Sequence, residues 1–302
     1  MPTITLRVPA STSNLGSGFD ALGLAIDLPL TVKFAVAEKQ GIRARGEGAA
    51  MIAQEENNLL LQAFGRACRE IGCAPPPLHV EMRNAIPLKR GLGSSGAAIV
   101  AGLAGANWLF GKKLSQQQML DLANEIEGHP ENASASLLGG LTVNGAEKGE
   151  VKWQRFFPPE DWVAAAFVPD LEISTHDARR VLPDILPRAE AVRNVQRVAV
   201  LVAAFAKRDP TLLKFGSQDW LHQPYRKALI PGFDDIIAAA YKAGAFAAFL
   251  SGSGSTMLAI CSKRHARKVA SAMATAAAQH RLTGKAVVLK FAKKGAQILS
   301  LH

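Results

Sequence analysis

The segment Pro87-Leu-Lys-Arg-Gly-Leu-Gly-Ser-Ser-Gly-Ala-Ala98 constrains this chain more than any other. Gly91, Gly93 and Gly96 allow backbone angles closed to other residues, and Ser94 and Ser95 stand where a helix start needs a cap. From Ala97 the sequence reads as that helix. A helix start carries unpaired amides and partial positive charge, and phosphate is the ligand that suits it best. Three glycines and two serines in six residues exceed what a tight turn into a buried helix requires.

Two familiar phosphate loops fit less well. Gly91 to Gly96 matches G-x-G-x-x-G, but Arg83 to Arg90, with Pro87 inside it, separates the match from the preceding strand, and Gln116 stands where an acid would bind ribose. The Walker pattern needs a lysine after its last glycine, where this chain has Ala97. Two more loops, Ser11 to Asp20 and Leu250 to Thr256, are rich in glycine and serine. Three such loops suit a cleft in which phosphate, nucleotide and acceptor meet, although each alone is also compatible with a turn.

At 302 residues the chain is long enough for two cores, and 48% hydrophobic with 20% charged residues describes a globular protein rather than a disordered one. The net charge of +10 is scattered, with short clusters at Lys112-Lys113, Lys263 to Lys268 and Lys290 to Lys294 and no interleaved aromatics, so nucleic acid is not the expected partner. The charge does suit an anionic small molecule. Cys68, Cys73 and Cys261 lack metal-type spacing, and the longest apolar run, Val198 to Ala206, is too short to span a bilayer. A reducing, cytoplasmic setting without membrane attachment is the expectation.

Apolar periodicity predicts strands at Ile4 to Val8, Leu30 to Ala37, Leu78 to Met82, Leu141 to Val143 and Val163 to Val168, with a last strand at Ala286 to Phe291. It predicts helices at Asn58 to Ile71, Ser95 to Phe110, Ser115 to Glu127, Asn132 to Leu138, Thr175 to Leu182, Ala189 to Lys207, Phe233 to Ala243 and Lys263 to His280, with a glycine-rich hairpin at Phe246 to Cys261. The pattern changes near residue 155, which suggests an N-terminal lobe over 1–155 and a C-terminal lobe over 156–302.

Taken together, these segments carry a family resemblance. Pro87 to Ala98 resembles the signature loop of the GHMP small-molecule kinases. Pro9-Ala-Ser-Thr-Ser-Asn-Leu-Gly-Ser-Gly-Phe-Asp-Ala-Leu-Gly-Leu-Ala25, Glu127-Gly-His-Pro-Glu-Asn132, Leu138-Gly-Gly-Leu141, Ile173-Ser-Thr-His-Asp-Ala-Arg179, Gln223-Pro-Tyr-Arg226, Ile230-Pro-Gly-Phe233 and Ser251-Gly-Ser-Gly-Ser-Thr256 resemble the homoserine kinases among them. The resemblance implies a two-lobed α+β fold, with a ribosomal-protein-like N-terminal lobe that binds the nucleotide and a ferredoxin-like C-terminal lobe that completes the substrate site. It implies ATP and Mg²⁺ as cofactors, L-homoserine as the small-molecule substrate phosphorylated toward threonine, and a homodimer as the family-level expectation.

The residues implied for the nucleotide are Pro87, Leu88, Lys89, Arg90, Gly91, Leu92, Gly93, Ser94, Ser95, Gly96 and Ala97. Ser95 is the implied magnesium ligand, and the family's magnesium-binding glutamate matches Glu125 best, with Glu127 as the alternative. The implied acceptor site comprises Asn14, Asp20, Asn132, Thr175, Arg179, Arg226, Gly252 and Gly254, with Asn14 and Asn132 as the catalytic pair.

Physical chemistry is compatible with these roles. An amino acid presents a carboxylate and an ammonium; Arg179 and Arg226 suit the first by bidentate pairing and Asp20 suits the second. Thr175 and Arg179 share a helix face, with Thr175 also placed to cap its start. Phosphoryl transfer rewards alignment and positive charge more than a strong base, so Asn14 and Asn132 suffice to orient the hydroxyl, and His129, beside Pro130, reads as structural. Glu131 and Gly96 depart from the family pattern, which has Asp and Ala there, and the longer Glu131 puts the acceptor geometry in question. A GHMP kinase for a sugar, mevalonate-type or isoprenoid alcohol has no use for the paired arginines. A binding protein that lost catalysis has no use for an intact Ser95, Glu125 and Asn132.

Overall fold

In the computed structural model, which describes residues 2–55 and 57–301, two β-sheets carry the chain. The first sheet holds seven strands: β1 (Thr3–Asn14), β2 (Gly18–Val36), β3 (Gly41–Gly46), β4 (Leu78–Asn84), β5 (Leu141–Glu147), β6 (Glu150–Phe156) and β11 (Gln297–Leu301). The second runs β10-β7-β9-β8, from β7 (Trp162–Pro169), β8 (Ala247–Leu250), β9 (Met257–Ser262) and β10 (Gly284–Leu289). Ile4, Leu6, Val8 and Ala10 of β1 are buried while Thr3, Thr5 and Arg7 are less so, the period of two that a one-sided strand requires.

The first-lobe helices are α1 (Ala49–Gln54), α2 (Leu59–Ile71), α3 (Ser94–Leu109), α4 (Gln116–Glu127) and α5 (Glu131–Leu138). Asn58 caps α2 by accepting from the amides of Leu60 and Leu61, and Ser115 with Gln118 forms a full capping box on α4. α3 is apolar all round and buried at Gly96, Ala97 and from Ile99 to Asn107, so it lies as a central rod between the sheet and its neighbouring helices. Gly102 makes that possible: a Cβ there would lie 2.2 Å from the carbonyl oxygen of Leu60 on α2.

The second lobe carries α6 (Thr175–Arg180), α7 (Arg188–Lys207), two single turns α8 (Leu213–Gly216) and α9 (Gln223–Arg226), α10 (Phe233–Lys242) and α11 (Ala266–Gln279). Phe167, Ile236, Val269 and Met273 form its own core. The opposite face of its sheet, with Phe249, Leu258 and Ile260, joins Phe205 and Trp162 in one buried cluster that continues to Phe34 and Phe64 in the first lobe. Continuous apolar burial of this kind sets the two lobes against each other and fixes the cleft between them.

Three expectations need correction. The chain does not finish in the second lobe: after β10 it crosses back, and β11 pairs antiparallel with β1, so 156–302 is not one uninterrupted lobe. β11 was missed because Gln297 to Leu301 is short and lies at the sheet edge, where Leu299 and Leu301 stay exposed. Neither serine caps α3; Gly93 is the N-cap, with φ 69°, a left-handed conformation that favours glycine. Ser174 rather than Thr175 caps α6, its hydroxyl accepting from the Asp177 amide at 3.0 Å.

The close passage of α2 over α3 makes Gly102 irreplaceable on steric grounds, since a backbone carbonyl cannot swing aside. Gly102→Ala is expected to destabilise the fold by about 1–3 kcal/mol despite alanine's better helix propensity, whereas Gly145→Ala, which meets open space, stays within about 0.5 kcal/mol. Paired thermal or denaturant unfolding curves check this, and an unaffected Gly102→Ala protein would contradict the packing.

Candidate active site

The glycine loop and the second lobe are bonded together residue by residue. The carbonyls of Lys89, Arg90 and Gly91 accept, in order, from the Ile173 amide (3.2 Å), the Thr256 amide (3.1 Å) and the Ser251 hydroxyl (2.6 Å). The Arg90 side chain donates from Nε to the Pro169 carbonyl (2.8 Å) and from Nη2 to the Asp170 carbonyl (2.9 Å), and pairs with Glu172 at 3.5 Å. Its carbonyls thus engaged, the loop turns its remaining face and the start of α3 to the cleft. At Gly93 a Cβ would lie 2.0 Å from the Ser11 hydroxyl, so only glycine brings the loop this close to β1.

One small cavity of about 80 Å³ gathers most of the expected residues. Lys89, Gly91, Gly93, Ser94 and Ser95 line one side, and Asn14, Asp20, Asn132, Thr175, Arg179, Arg226 and Gly252 the other. Pro87, Leu88, Arg90 and Leu92 border a separate cleft with Leu28 and Val287, and Leu88 also walls an apolar cavity next to Ser94 and Ser95. Gly96 and Ala97 are buried, and a Cβ on Gly96 would stand 3.0 Å from the Ala133 amide at the start of α5. Gly254 turns away, toward Leu250, Ile230 and Ile173.

Arg226 is 2% exposed and held from three directions: Nε donates to the Ala178 carbonyl (2.9 Å), and Nη1 to the Gly252 carbonyl (3.1 Å) and to His222 Nδ1 (3.4 Å). Burial, with the neighbouring Arg179 charge, lowers its pKa to about 10, so it remains a cation at neutral pH. Arg179 is more open and forms a forked pair with Asp20 at 3.0 and 3.1 Å. Asn14 donates to the Gly252 carbonyl (3.1 Å) and accepts from the Asp20 amide (3.0 Å). Asn132 donates to Ser13 (3.1 Å) and Glu131 (2.8 Å) and accepts from Ser11 (3.0 Å).

Glu125 is not part of this site. Its carboxylate is gripped by Arg66 of α2, Nε and Nη2 donating at 2.9 and 3.0 Å, and that guanidinium holds the Glu125 pKa below its ordinary value. Residues two apart on a helix point to different sides, and it is Glu127 that lines the cavity with Ser95. The helical spacing carried this signal: Glu127 lies four and seven residues after Ala123 and Leu120, on the buried stripe of α4. Burial raises the Glu127 pKa to about 7 despite the opposing effects of the His129 charge and the Ser95 hydroxyl. Its Oε2 has no hydrogen-bond partner among the described residues. A buried carboxylate oxygen without a partner, on a residue that lines the cavity with Ser95, fits a hard cation with oxygen ligands.

His129 and Glu131 also belong to the cavity, although the sequence pattern suggested a structural role for His129. Burial acts to lower the His129 pKa, but the hydrogen bond and charge of Glu131, whose oxygens lie 3.1 and 3.2 Å from Nδ1, prevail and raise it to about 9. Glu131, 2% exposed, therefore bridges His129 and Asn132, which answers the question its extra methylene raised: the longer arm is anchored at both oxygens. An apolar cavity of about 190 Å³ adjoins the polar one through Lys89, Ser94 and Ser95, with walls that include Leu30, Leu59, Leu60, Met82 and Ala98. It escaped sequence reasoning because, beyond the glycine loop, its walls come from three separate segments with no motif of their own.

Known proteins resemble this chain in sequence and in fold. Residues 58–140 match the GHMP kinases N terminal domain and residues 201–279 the GHMP kinases C terminal domain. A homoserine kinase of Desulfitobacterium hafniense is 41% identical over 296 residues, covering 98% of this chain and 100% of that one. Another, from Microchaete diplosiphon, is 41% identical over 305 residues, covering 99% and 98%. The crystal structure of homoserine kinase from Cytophaga hutchinsonii superposes with a TM-score of 0.88 at 29% identity, covering 98% of this chain and 97% of its own. Fold and site thus define a GHMP kinase. Within that class, the chain belongs to the homoserine kinase family.

Because the folded chain keeps the Glu127 proton to a higher pH than the unfolded chain does, this group removes stability as pH rises from 4.5 to about 7 and has no further effect above that. In chelator-treated protein, Glu127→Gln should therefore gain on the parent by about 3 kcal/mol across that interval, read by denaturant unfolding at several pH values. Parallel pH profiles would mean that the carboxylate is solvated.

Proposed function

We propose that this chain is an ATP-dependent kinase that transfers the γ-phosphoryl group to the side-chain hydroxyl of L-homoserine, giving O-phospho-L-homoserine for threonine synthesis. The observation that carries the reading is the pairing, in one cavity, of a helix N-terminus on one wall with two guanidiniums and a carboxylate on the other. The first suits phosphate; the second suits a zwitterion.

The apolar cavity beside Ser94 and Ser95 is the right place for the base of the nucleotide, so that its phosphates run along Gly91 to Ser95 toward the acceptor. Ser95 and Glu127 are the proposed holders of Mg²⁺, which when bound supplies positive charge to the phosphate oxygens. Without a ligand, Asp20 and Arg179 satisfy each other. Their pair is partly exposed and contributes about 0–1 kcal/mol, so an incoming zwitterion displaces it at little cost and exchanges one ion pair for two: carboxylate to Arg179 and Arg226, ammonium to Asp20.

A neutral alcohol offers neither partner and leaves the cavity's charges unanswered, which disfavours a sugar or isoprenoid alcohol, while a mevalonate-type alcohol brings a carboxylate but no ammonium for Asp20. Asn14 uses one of its two amide hydrogens on Gly252 and has another for the acceptor hydroxyl, whereas both of Asn132's are engaged, making Asn132 the support that holds Ser13 and Glu131. His129, protonated at neutral pH by Glu131's influence, is unsuited to take the hydroxyl proton and instead adds positive charge where negative charge develops. As the hydroxyl oxygen bonds to phosphorus, the bond to the bridging oxygen of ADP breaks and the hydroxyl proton leaves with the product phosphate or solvent.

An ADP-release assay with ATP and Mg²⁺ against a panel of alcohols tests the reading: turnover with L-homoserine supports it, and turnover with galactose or mevalonate instead overturns it. Arg226→Ala should raise the KM for homoserine at least tenfold more than the KM for ATP, because it removes a fully desolvated charge partner of the acceptor. Glu127→Gln should abolish turnover that Glu125→Gln largely retains; the reverse ranking would return the metal to Glu125.

A further inference from the structure

Phe19 lies at the beginning of β2, half-buried, and lines the acceptor cavity beside Asp20. The guanidinium carbons of Arg179 and Arg226 stand 5.6 and 5.1 Å from its ring centroid, and the His222 imidazole stacks on it at 5.1 Å with planes 23° apart. His222 is completely buried: its Nε2 meets the Gly16 carbonyl at 2.9 Å, and its Nδ1 faces Arg226 Nη1 at 3.4 Å. With Nε2–H given to Gly16, Nδ1 presents only a lone pair, which is what Arg226 requires of it. Nε and Nη1 of Arg226 are spent on protein acceptors, and no hydrogen bond to a described residue engages Nη2.

Asp20 offsets part of the Arg179 charge, but the two guanidiniums aimed at one small cavity still repel each other until the acceptor's carboxylate arrives. A ring that offers its electron-rich face within about 6 Å attracts both, and it does so whether or not the anion is present. We propose that Phe19 is a positioning residue: without touching the reacting atoms, it holds Arg179 and Arg226 together as a preset receptor for the acceptor's carboxylate and so sets the preference for a carboxylate-bearing alcohol. His222 fixes the ring and Arg226 in one arrangement. The proposal rests on the homoserine kinase reading above, because it concerns the same acceptor site. An aliphatic side chain of similar volume fills Phe19's space but has no quadrupole, so packing and charge positioning are separable.

The test compares kcat/KM for L-homoserine with that for L-homoserine amide, which is neutral where the carboxylate would be. Phe19→Leu should reduce the wild-type preference for homoserine about tenfold to thirtyfold, the loss expected for two cation–π contacts, with KM for ATP changed by less than about twofold. Phe19→Tyr and Phe19→Trp should keep the preference. In an Arg226→Ala background, Phe19→Leu should reduce the preference by a much smaller factor than in wild type. Pentafluorophenylalanine at position 19 preserves the ring's shape and inverts its quadrupole, which keeps the test decisive should the leucine variant not fold; it should lose the preference as leucine does. If either substitution lowers both acceptors equally, Phe19 is only packing and the proposal is overturned. Failure of the wild type to phosphorylate homoserine at all would instead sink the functional reading, so the two failures remain distinct.

Discussion

Everything in the cleft depends on the bonding of the glycine loop to the second lobe. Lys89, Arg90 and Gly91 give their carbonyls to Ile173, Thr256 and Ser251, and the Arg90 guanidinium fastens the same turn to the carbonyls of Pro169 and Asp170. A loop that binds phosphate through its amides must have its carbonyls satisfied elsewhere, because buried carbonyls facing an anion would repel it. Here that need is met by the lobe that also carries Arg179 and Arg226. Donor and acceptor halves are therefore spaced by direct hydrogen bonds rather than by the apolar interface alone, and the phosphoryl group has a short, fixed path between them.

Charge in the site follows the same economy of partners. Asp20 answers Arg179, Glu131 answers His129 and Asn132, and the main-chain carbonyls of Ala178 and Gly252 answer Arg226. Among the described residues, Glu127 alone of these carboxylates keeps an unpartnered oxygen, in the cavity wall it shares with Ser95. The two departures from the family pattern also meet in space. Gly96 at the start of α3 faces Ala133 and Asn132 on α5, next to Glu131, so the small residue on one helix and the long one on the other belong to a single contact. A methyl group on residue 96 would press on the backbone that presents the Glu131 carboxylate.

Most elements were legible because their signals are local. The Asn58 and Ser115 caps, the alternation in β1 and the apolar run of α3 each act within a few residues. β11 was not legible, because its place beside β1 is settled by pairing across nearly the whole chain. Within the site, the glycine loop declared itself through residue type and spacing, whereas Asn14, Asp20, Asn132 and the arginines were named through the family resemblance. The choice of Glu127 over Glu125 was legible only on a helical wheel, and Phe19 not at all, since a phenylalanine beside an aspartate looks like any core residue until its neighbours are known.

By itself, the sequence determined that a helix would begin at the glycine loop, and that its cationic balance suits an anionic small molecule. Both follow from short-range rules: glycine's torsional freedom, helix periodicity and the ionic character of side chains. Only the tertiary structure decided which charges meet. Glu125 went to Arg66 and Glu127 to the cleft because α4 packs one face on its neighbours, and Arg226 became a rigid anchor because burial surrounded it with carbonyls, His222 and Phe19. Those pairings depend on distances between segments far apart in the chain, and the packed core sets them.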